Sequence, residues 1–339
     1  MAEADALPRV AVLGTGLIGG SILLRLHAAG LDVVGWDPDE ATRRQARSVG
    51  VPMAQRLLDA VAGREVVFLG GPLPTLPATL VEAAAATGAD CVLTDVGSTK
   101  AELAAFAGAR GLTDRFVPGH PMAGTDRAGL VAAQPELFAG AAWVLCPAPE
   151  GLAAFRRLAV LITEVFAARV VPMAADRHDA VVALASHVPH LLAGALAGAV
   201  ERSPLREAIR TLAAGSFRDG TRVAGTPPER TANMLAGNRE PVLAALAEVT
   251  AFLDELAAAL RAGDAPTLRA RYAEAGRTRR ALADRPCHEQ VRSFATDGPP
   301  ADEITWLHGV GSGGARLTGC QLTSGTVTYT VHHPGSDPR

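Results

Sequence analysis

The residues of this chain best suited to chemistry lie in a few short segments. Gly119-His120-Pro121 places an imidazole between a glycine and a proline, directly after the apolar pair Phe116-Val117. An imidazole titrates near neutral pH and suits a group that takes up or gives back a proton during a reaction. Asp95-Val96-Gly97-Ser98-Thr99-Lys100 follows another apolar run and contains the only lysine of the chain. Ser98 or Thr99 there also reads as a simple helix cap. Farther on come Ser186-His187-Val188-Pro189-His190 and Phe217-Arg218-Asp219-Gly220-Thr221-Arg222. His187 and His190 share one helical face at their spacing, and with no third ligand evident the reading is that there is no metal site. Arg222 reads either as a surface arginine or as a guanidinium gripping a carboxylate through two parallel hydrogen bonds.

A nucleotide cradle stands nearer the N-terminus. Gly14-Thr15-Gly16-Leu17-Ile18-Gly19 fits G-x-G-x-x-G between an apolar strand and a helix. The first glycine permits the turn, the second lets the backbone approach a pyrophosphate, and the third lets helix and strand pack closely. The free N–H groups at the helix start then face the phosphates. Asp37 ends the next apolar run, where a carboxylate accepts both hydroxyls of a ribose. It favours NAD over NADP, because it repels a 2′-phosphate. Arg43 and Arg44, on the following helix, read as a solvated face, with a phosphate contact as the other reading.

These residues must be positioned by alternating strands and helices. Apolar runs predict strands at Val10–Leu13, Asp32–Trp36, Val66–Leu69, Cys91–Asp95, Phe116–Val117, Ala142–Cys146 and Arg169–Val171. Helices are predicted at Leu17–Ala29, Glu40–Val49, Leu76–Ala86, Ala101–Ala109 and Leu152–Phe166. That alternation implies a mostly parallel, doubly wound α/β sheet of the Rossmann type over residues 1–172, with its ligand at the carboxyl ends of the strands. Residues 173–284 are Ala/Leu-rich with helical spacing, including Pro241–Arg261 and Ala265–Ala283, and read as an all-α domain. Residues 285–339 form a short C-terminal tail rich in Gly, Pro, Ser and Thr. A hairpin around Ser324-Gly325 and a disordered extension both fit it.

Composition narrows the function. A net charge of −3 gives no basic excess for bulk nucleic-acid binding. The N-terminus lacks a secretory pattern, and no uninterrupted apolar stretch approaches the roughly 18 residues that span a bilayer. The four cysteines are widely spaced, which disfavours a disulfide framework or zinc site. A cytoplasmic protein without a membrane partner is expected.

The segments Gly14–Ser21, Asp95–Lys100, Gly119–Asp126, His178–His190 and Phe217–Arg222 resemble, in order, those of the prephenate and arogenate dehydrogenases, which form the tyrosine ring. The resemblance spans about Val10 to Ala283. It implies hydride transfer from a cyclohexadienol to a nicotinamide, with loss of the ring carboxylate as CO2. It further implies that His120 is the catalytic histidine and that Ser98 orients it against the nicotinamide. Arg222 corresponds to the arginine that binds a substrate carboxylate. His187, His190, Gly215 and Thr125 correspond to positions lining the pocket. Asp126 would pair with the ammonium of arogenate, or else merely cap a helix. Lys100 is given no role beyond its place in the Ser98 loop. Two departures stand out: Thr231 replaces a tryptophan of some members, and the tail is too short for the regulatory domain that some relatives carry. A homodimer through the helical domain is expected. Two rival readings remain: a β-hydroxyacid dehydrogenase, which would need a lysine in the helical domain, and a non-catalytic NAD-binding sensor.

Overall fold

The computed structural model describes residues 7–124, 127–282 and 286–335. Its first half is built from β1 (Val10–Leu13), α1 (Leu17–Ala28), β2 (Val33–Trp36), α2 (Glu40–Ser48), α3 (Leu57–Val61), β3 (Val66–Leu69), α4 (Leu76–Ala86), β4 (Val92–Asp95) and α5 (Ala101–Gly108). The four strands are parallel and ordered β2-β1-β3-β4. β1, β3 and β4 are buried along their whole length, as expected of strands covered on both faces. Strand order reverses between β1 and β3, which opens the crevice where such folds bind ligands.

The chain then changes sheets. Phe116 bridges Leu93 in parallel, and the strand proper, β5, covers Gly119–Pro121. His120 therefore sits in a strand and not in the loop expected for it. β5 pairs antiparallel with β6 (Ala142–Leu145), and α6 (Leu152–Glu164) leads to β7 (Arg169–Pro172), parallel to β6.

The C-terminal segment completes this second sheet. It folds as β8 (Cys287–Ala295), α14 (Pro300–Ser312), β9 (Arg316–Thr323) and β10 (Thr326–Pro334), where a tail of uncertain order was expected. The sheet runs β5-β6-β7-β9-β10-β8. Val327, Tyr329 and Val331 alternate into the core, and Ile304, Leu307 and Val310 recur at helical spacing. They share one buried cluster with Phe155, Leu158 and Ile162 of α6. A disordered tail is thus excluded for the described residues, because α6 offers the apolar face they need. Glu303 of α14 reinforces the contact: it accepts hydrogen bonds from Arg156 at 3.0 and 2.6 Å and from the Tyr329 hydroxyl at 2.6 Å, all buried.

Among the described residues, seven α-helices lie between β7 and β8: α7 (Ala175–Val182), α8 (Val188–Glu201), α9 (Arg206–Leu212), α10 (Gly215–Thr221), α11 (Pro228–Gly237), α12 (Arg239–Ala262) and α13 (Ala265–Ala281). A π turn, Ala183–His187, joins α7 to α8 into one continuous run. That run, Ala175–Glu201, has a mean hydropathy of 1.6 over its most apolar stretch and is long enough to cross a membrane by composition. This corrects the expectation that no such stretch exists, which rested on counting unbroken apolar residues. The run nevertheless carries His178, Asp179 and His187, all buried within the protein.

Removing Glu303 would strand the Arg156 guanidinium, leaving only the Thr296 carbonyl as its partner at 3.1 Å. Glu303→Ala should cost about 3–5 kcal/mol in urea unfolding. Val291→Ala, on exposed β8, should stay within about 0.5 kcal/mol.

Candidate active site

The glycine turn is held as its chemistry requires. Gly14 has φ of 87°, and a Cβ there would lie 2.7 Å from the backbone of Gly70 on the neighbouring strand's exit. A Cβ on Gly19 would lie 1.9 Å from the Gly14 carbonyl oxygen, so only glycine lets α1 approach β1. Nothing lies within 4 Å of a Cβ on Gly16, and no side chain caps α1. The cradle is therefore open on the side where a pyrophosphate would meet the helix N–H groups, and these residues fit a dinucleotide. Thr15 and Leu17 are buried and Ile18 packs against the core, so they contribute backbone to the cradle. The carboxylate of Asp37 accepts from the Thr15 amide at 2.7 Å and the Asp39 amide at 3.0 Å. The Thr15 hydroxyl also meets Oδ2 at 3.3 Å, whereas Oδ1, with the Asp39 amide alone, retains acceptor capacity toward a ribose. Arg43 is turned back onto the carbonyl oxygens of Asp37 and Pro38, at 2.6 and 3.1 Å, and Arg44 pairs with Glu40 at 2.7 Å.

The loops after β4 and before β5 are joined by a buried ion pair. Lys100 Nζ contacts Asp95 Oδ2 and donates to the Gly119 carbonyl oxygen at 2.8 Å; both side chains are fully buried. Asp95 also accepts from the Gly97 amide at 2.8 Å and the Gly119 amide at 3.2 Å. Lys100, for which the sequence suggested no role, thereby anchors the residue next to His120. Ser98 lies on the loop this pair encloses, partly exposed, its hydroxyl unengaged among the described residues.

His120 is not alone. Its Nδ1 lies 2.9 Å from Nε2 of His178 on α7, and His178 Nδ1 lies 2.7 Å from Asp179 Oδ1. The Asp179 carboxylate also accepts from the Lys100 and Ala101 amides at 2.8 and 2.9 Å, at the N-terminus of α5. A carboxylate partner requires a proton on His178 Nδ1, which leaves Nε2 as an acceptor and places the His120 proton on Nδ1. His120 Nε2 is then free to act as a base. Burial, with the His178, Lys100, His187 and Arg230 charges, holds the His120 imidazole well below its ordinary range. Burial lowers His178 as well. For Asp179, burial opposes the charge, but the His178, Ala101 and Lys100 hydrogen bonds together outweigh it and leave the carboxyl below its usual range.

The helical half supplies further polar groups. His178 and His187 are nine residues apart, about two and a half α-helical turns and so on opposite faces. The intervening π turn shifts this phase, and Asn238 Nδ2 spans it, donating to the Asp179 carbonyl at 2.8 Å and to His187 Nδ1 at 3.0 Å. His187 thus carries its proton on Nε2 and is neutral, burial pushing it down to about 4. His187 Nε2, His190 Nδ1 and Asn238 Oδ1 are buried without a partner among the described residues, as expected of groups awaiting a polar ligand. Burial, then Arg230 and Arg222, lowers His190. Arg222 is exposed at the end of α10, and Gly215 begins that helix with open space around it. Thr125 and Asp126 lie outside the described residues.

Three participants were not singled out from sequence: His178, Asp179 and Arg230. Arg230, near the start of α11, brings Nη2 to 3.7 Å from a Cβ on Gly124, just after β5. Only the tertiary arrangement shows this. His178 did lie in a segment of the family resemblance, and Asp179 beside it was the available signal.

Lys100→Met would leave Asp95 buried without its cation. The expected loss is about 3–5 kcal/mol in urea unfolding, part of which should return in the Asp95→Asn, Lys100→Met double variant. A single variant as stable as the parent would contradict the role assigned to the pair.

Comparison with known proteins agrees with this geometry. Residues 22–171 match the family described as prephenate dehydrogenase, nucleotide-binding domain, and residues 174–274 match its dimerization domain. A cyclohexadienyl dehydrogenase of Zymomonas mobilis is 31% identical over 279 residues, 80% of this chain and 95% of that protein. A Corynebacterium glutamicum structure, classed provisionally as a prephenate dehydrogenase, has TM-score 0.80 and 30% identity, with 91% of this chain and 98% of that chain covered. The Synechocystis arogenate dehydrogenase structure has TM-score 0.68 and 28% identity, covering 81% of this chain and 99% of its own. With both family domains matched in order over most of its length and a relative 31% identical over 80% of it, this chain belongs to the prephenate dehydrogenase family.

Proposed function

We propose that this protein is an NAD-dependent dehydrogenase acting on prephenate or arogenate, by oxidative decarboxylation of the cyclohexadienol to 4-hydroxyphenylpyruvate or tyrosine. The observation that carries this reading is His120, whose Nε2 is left free as a base by its contact with His178. A bound NAD+ would supply the hydride acceptor, held by the Gly14–Gly19 turn and Asp37. As the C4–H bond gives up its electron pair as hydride, His120 Nε2 takes the proton of the C4 hydroxyl; the ring carboxylate then departs as CO2, leaving its bonding pair in the ring as a C4 phenolate that recovers the proton to give the phenol. Ser98 holds the geometry between base and nicotinamide. His187 donates from Nε2, and Arg222 binds a carboxylate bidentately.

NAD is favoured over NADP by the Asp37 carboxylate and by Arg43 and Arg44, whose charges are engaged on the chain itself. Between the two substrates, Arg230 favours prephenate. Arg222 and Arg230 form no ion pair among the described residues, which suits the two carboxylates that both substrates carry, and a cation beside Gly124 disfavours the ammonium group that arogenate alone carries. The β-hydroxyacid rival would need a lysine base in the helical half, whereas the single lysine is buried in the first domain. A homodimer is supported by the dimerization-domain match and by exposed Leu192, Leu196, Leu205, Leu212 and Leu260 on the helices.

NADH formation, followed at 340 nm with each substrate and each cofactor, tests the reading. Turnover should require NAD+ and fall at least about 10²-fold in His120→Ala. Binding of NAD+ without turnover on either substrate would instead support the sensor. Because His120 is held well below its ordinary range, kcat/KM should stay flat through neutral pH. It should decline only in acid below the usual imidazole value of about 6.5. Arg230→Gln should lower kcat/KM for prephenate more than for arogenate; an unchanged ratio would remove Arg230 from specificity.

A further inference from the structure

We propose that His120, His178 and Asp179 work as one array, in which the helical domain sets the tautomer of the base carried by the nucleotide-binding domain. His120 lies on β5, whereas His178 and Asp179 lie on α7. The three are linked at 2.9 and 2.7 Å. The inference deepens the function proposed above and rests on it for its kinetic arm.

The far end of the array is fixed in place. Asp179 Oδ1 accepts from both His178 and the Lys100 amide, and Oδ2 accepts from the Ala101 amide. Its backbone oxygen accepts from Asn238. The carboxylate therefore cannot turn away without breaking the start of α5. Its charge is favoured there by the free amides and dipole of the helix. Lys100 ties this end to the other, since its amide meets Asp179 while its Nζ holds the Gly119 carbonyl beside His120.

The consequence is chemical. A base aimed at the substrate must present an unprotonated nitrogen, and a neutral imidazole has only one. With His178 Nε2 as acceptor, the His120 proton stays on Nδ1 and Nε2 carries the lone pair. When His120 gains the substrate proton, its Nδ1–H still donates to His178, whose Nδ1–H still donates to Asp179. One ionised carboxylate then offsets the positive charge across both rings. When CO2 leaves, its bonding pair makes the C4 oxygen a phenolate, which takes the proton back from His120, so no net proton is released and no electrons move within the array. His178 and Asp179 are thus positioning residues, with the same division of labour as the aspartate behind the histidine of a serine protease. The charged or titratable groups facing His120 are His178 and Asp179 from α7, Lys100 and Asp95 from the β4–α5 loop, His187 from the π turn and Arg230 from α11.

The test compares wild type, His178→Gln and His178→Leu as full-length protein. Nitrogen NMR of labelled histidine reads the His120 tautomer at neutral pH without any substrate. Wild type should carry its proton on Nδ1. His178→Gln should keep it there, because the glutamine oxygen can accept, whereas His178→Leu should shift it toward Nε2. With prephenate and NAD+, kcat should fall on the order of 10²–10³-fold in His178→Leu and recover in large part in His178→Gln. KM and NAD+ affinity should change little, which a role confined to packing would not produce. A wild-type His120 protonated on Nε2 would overturn the proposal. So would a folded His178→Leu with kcat within about twofold of wild type. If wild type turns over neither prephenate nor arogenate, the proposed function fails while the tautomer still decides the array.

Discussion

The buried pair of Asp95 and Lys100 is the constraint on which the rest of the site depends. Two charges removed from water cost more than their attraction returns unless every remaining donor and acceptor is engaged. Here the Gly97 and Gly119 amides engage the carboxylate and the Gly119 carbonyl takes a second ammonium hydrogen, which offsets much of that cost. The result is a rigid tie between the end of β4 and the start of β5, with Ser98 on the enclosed loop and His120 at its edge. The lysine amide continues the tie into Asp179. One residue thus couples the nucleotide side of the cleft to the helical side.

This arrangement lets two domains share the proposed base, His120. The glycine cradle belongs wholly to the first domain, and its geometry follows from close backbone approach at Gly14, Gly19 and Gly70. The groups that would face a substrate come largely from the second: His187 and His190 beside the π turn, Arg222 after α10, and Arg230 on α11. His120 stands between them, oriented from behind by His178. A site divided this way closes correctly only when α7 is seated against α5, and the buried hydrogen bonds of Asp179 are what seat it.

The C-terminal segment shows the same dependence on partners. Its composition suggested too little apolar surface for independent order, and by itself that is sound. In the structure it does not fold by itself: β9 joins β7 at Val170 and Leu317, and α14 brings Gly311 so close to Pro172 that a Cβ would lie 1.9 Å from its carbonyl oxygen. The alternation Val327, Tyr329, Val331 and the helical spacing of Ile304, Leu307 and Val310 were readable. What they would pack against was not, since α6 is more than a hundred residues earlier in the chain.

The sequence by itself determined the local features. The strand–turn–helix of Val10 to Ala28, the order of strands and helices through the first half, Asp37 at the end of β2 and the helical character after Pro172 follow from sterics and periodicity within a few residues. Family resemblance then marked Ser98, His120, His187 and Arg222. Only the tertiary structure decided which groups meet. Lys100 seemed incidental until its five-residue loop closed on Asp95. The partner of His120 lies 58 residues away on another domain. A π turn, which no local periodicity announces, lies between Asp179 and His187, which one asparagine links. The physical reason is common to all three: burial makes an unpaired polar group costly, and its partner is chosen by packing between distant segments.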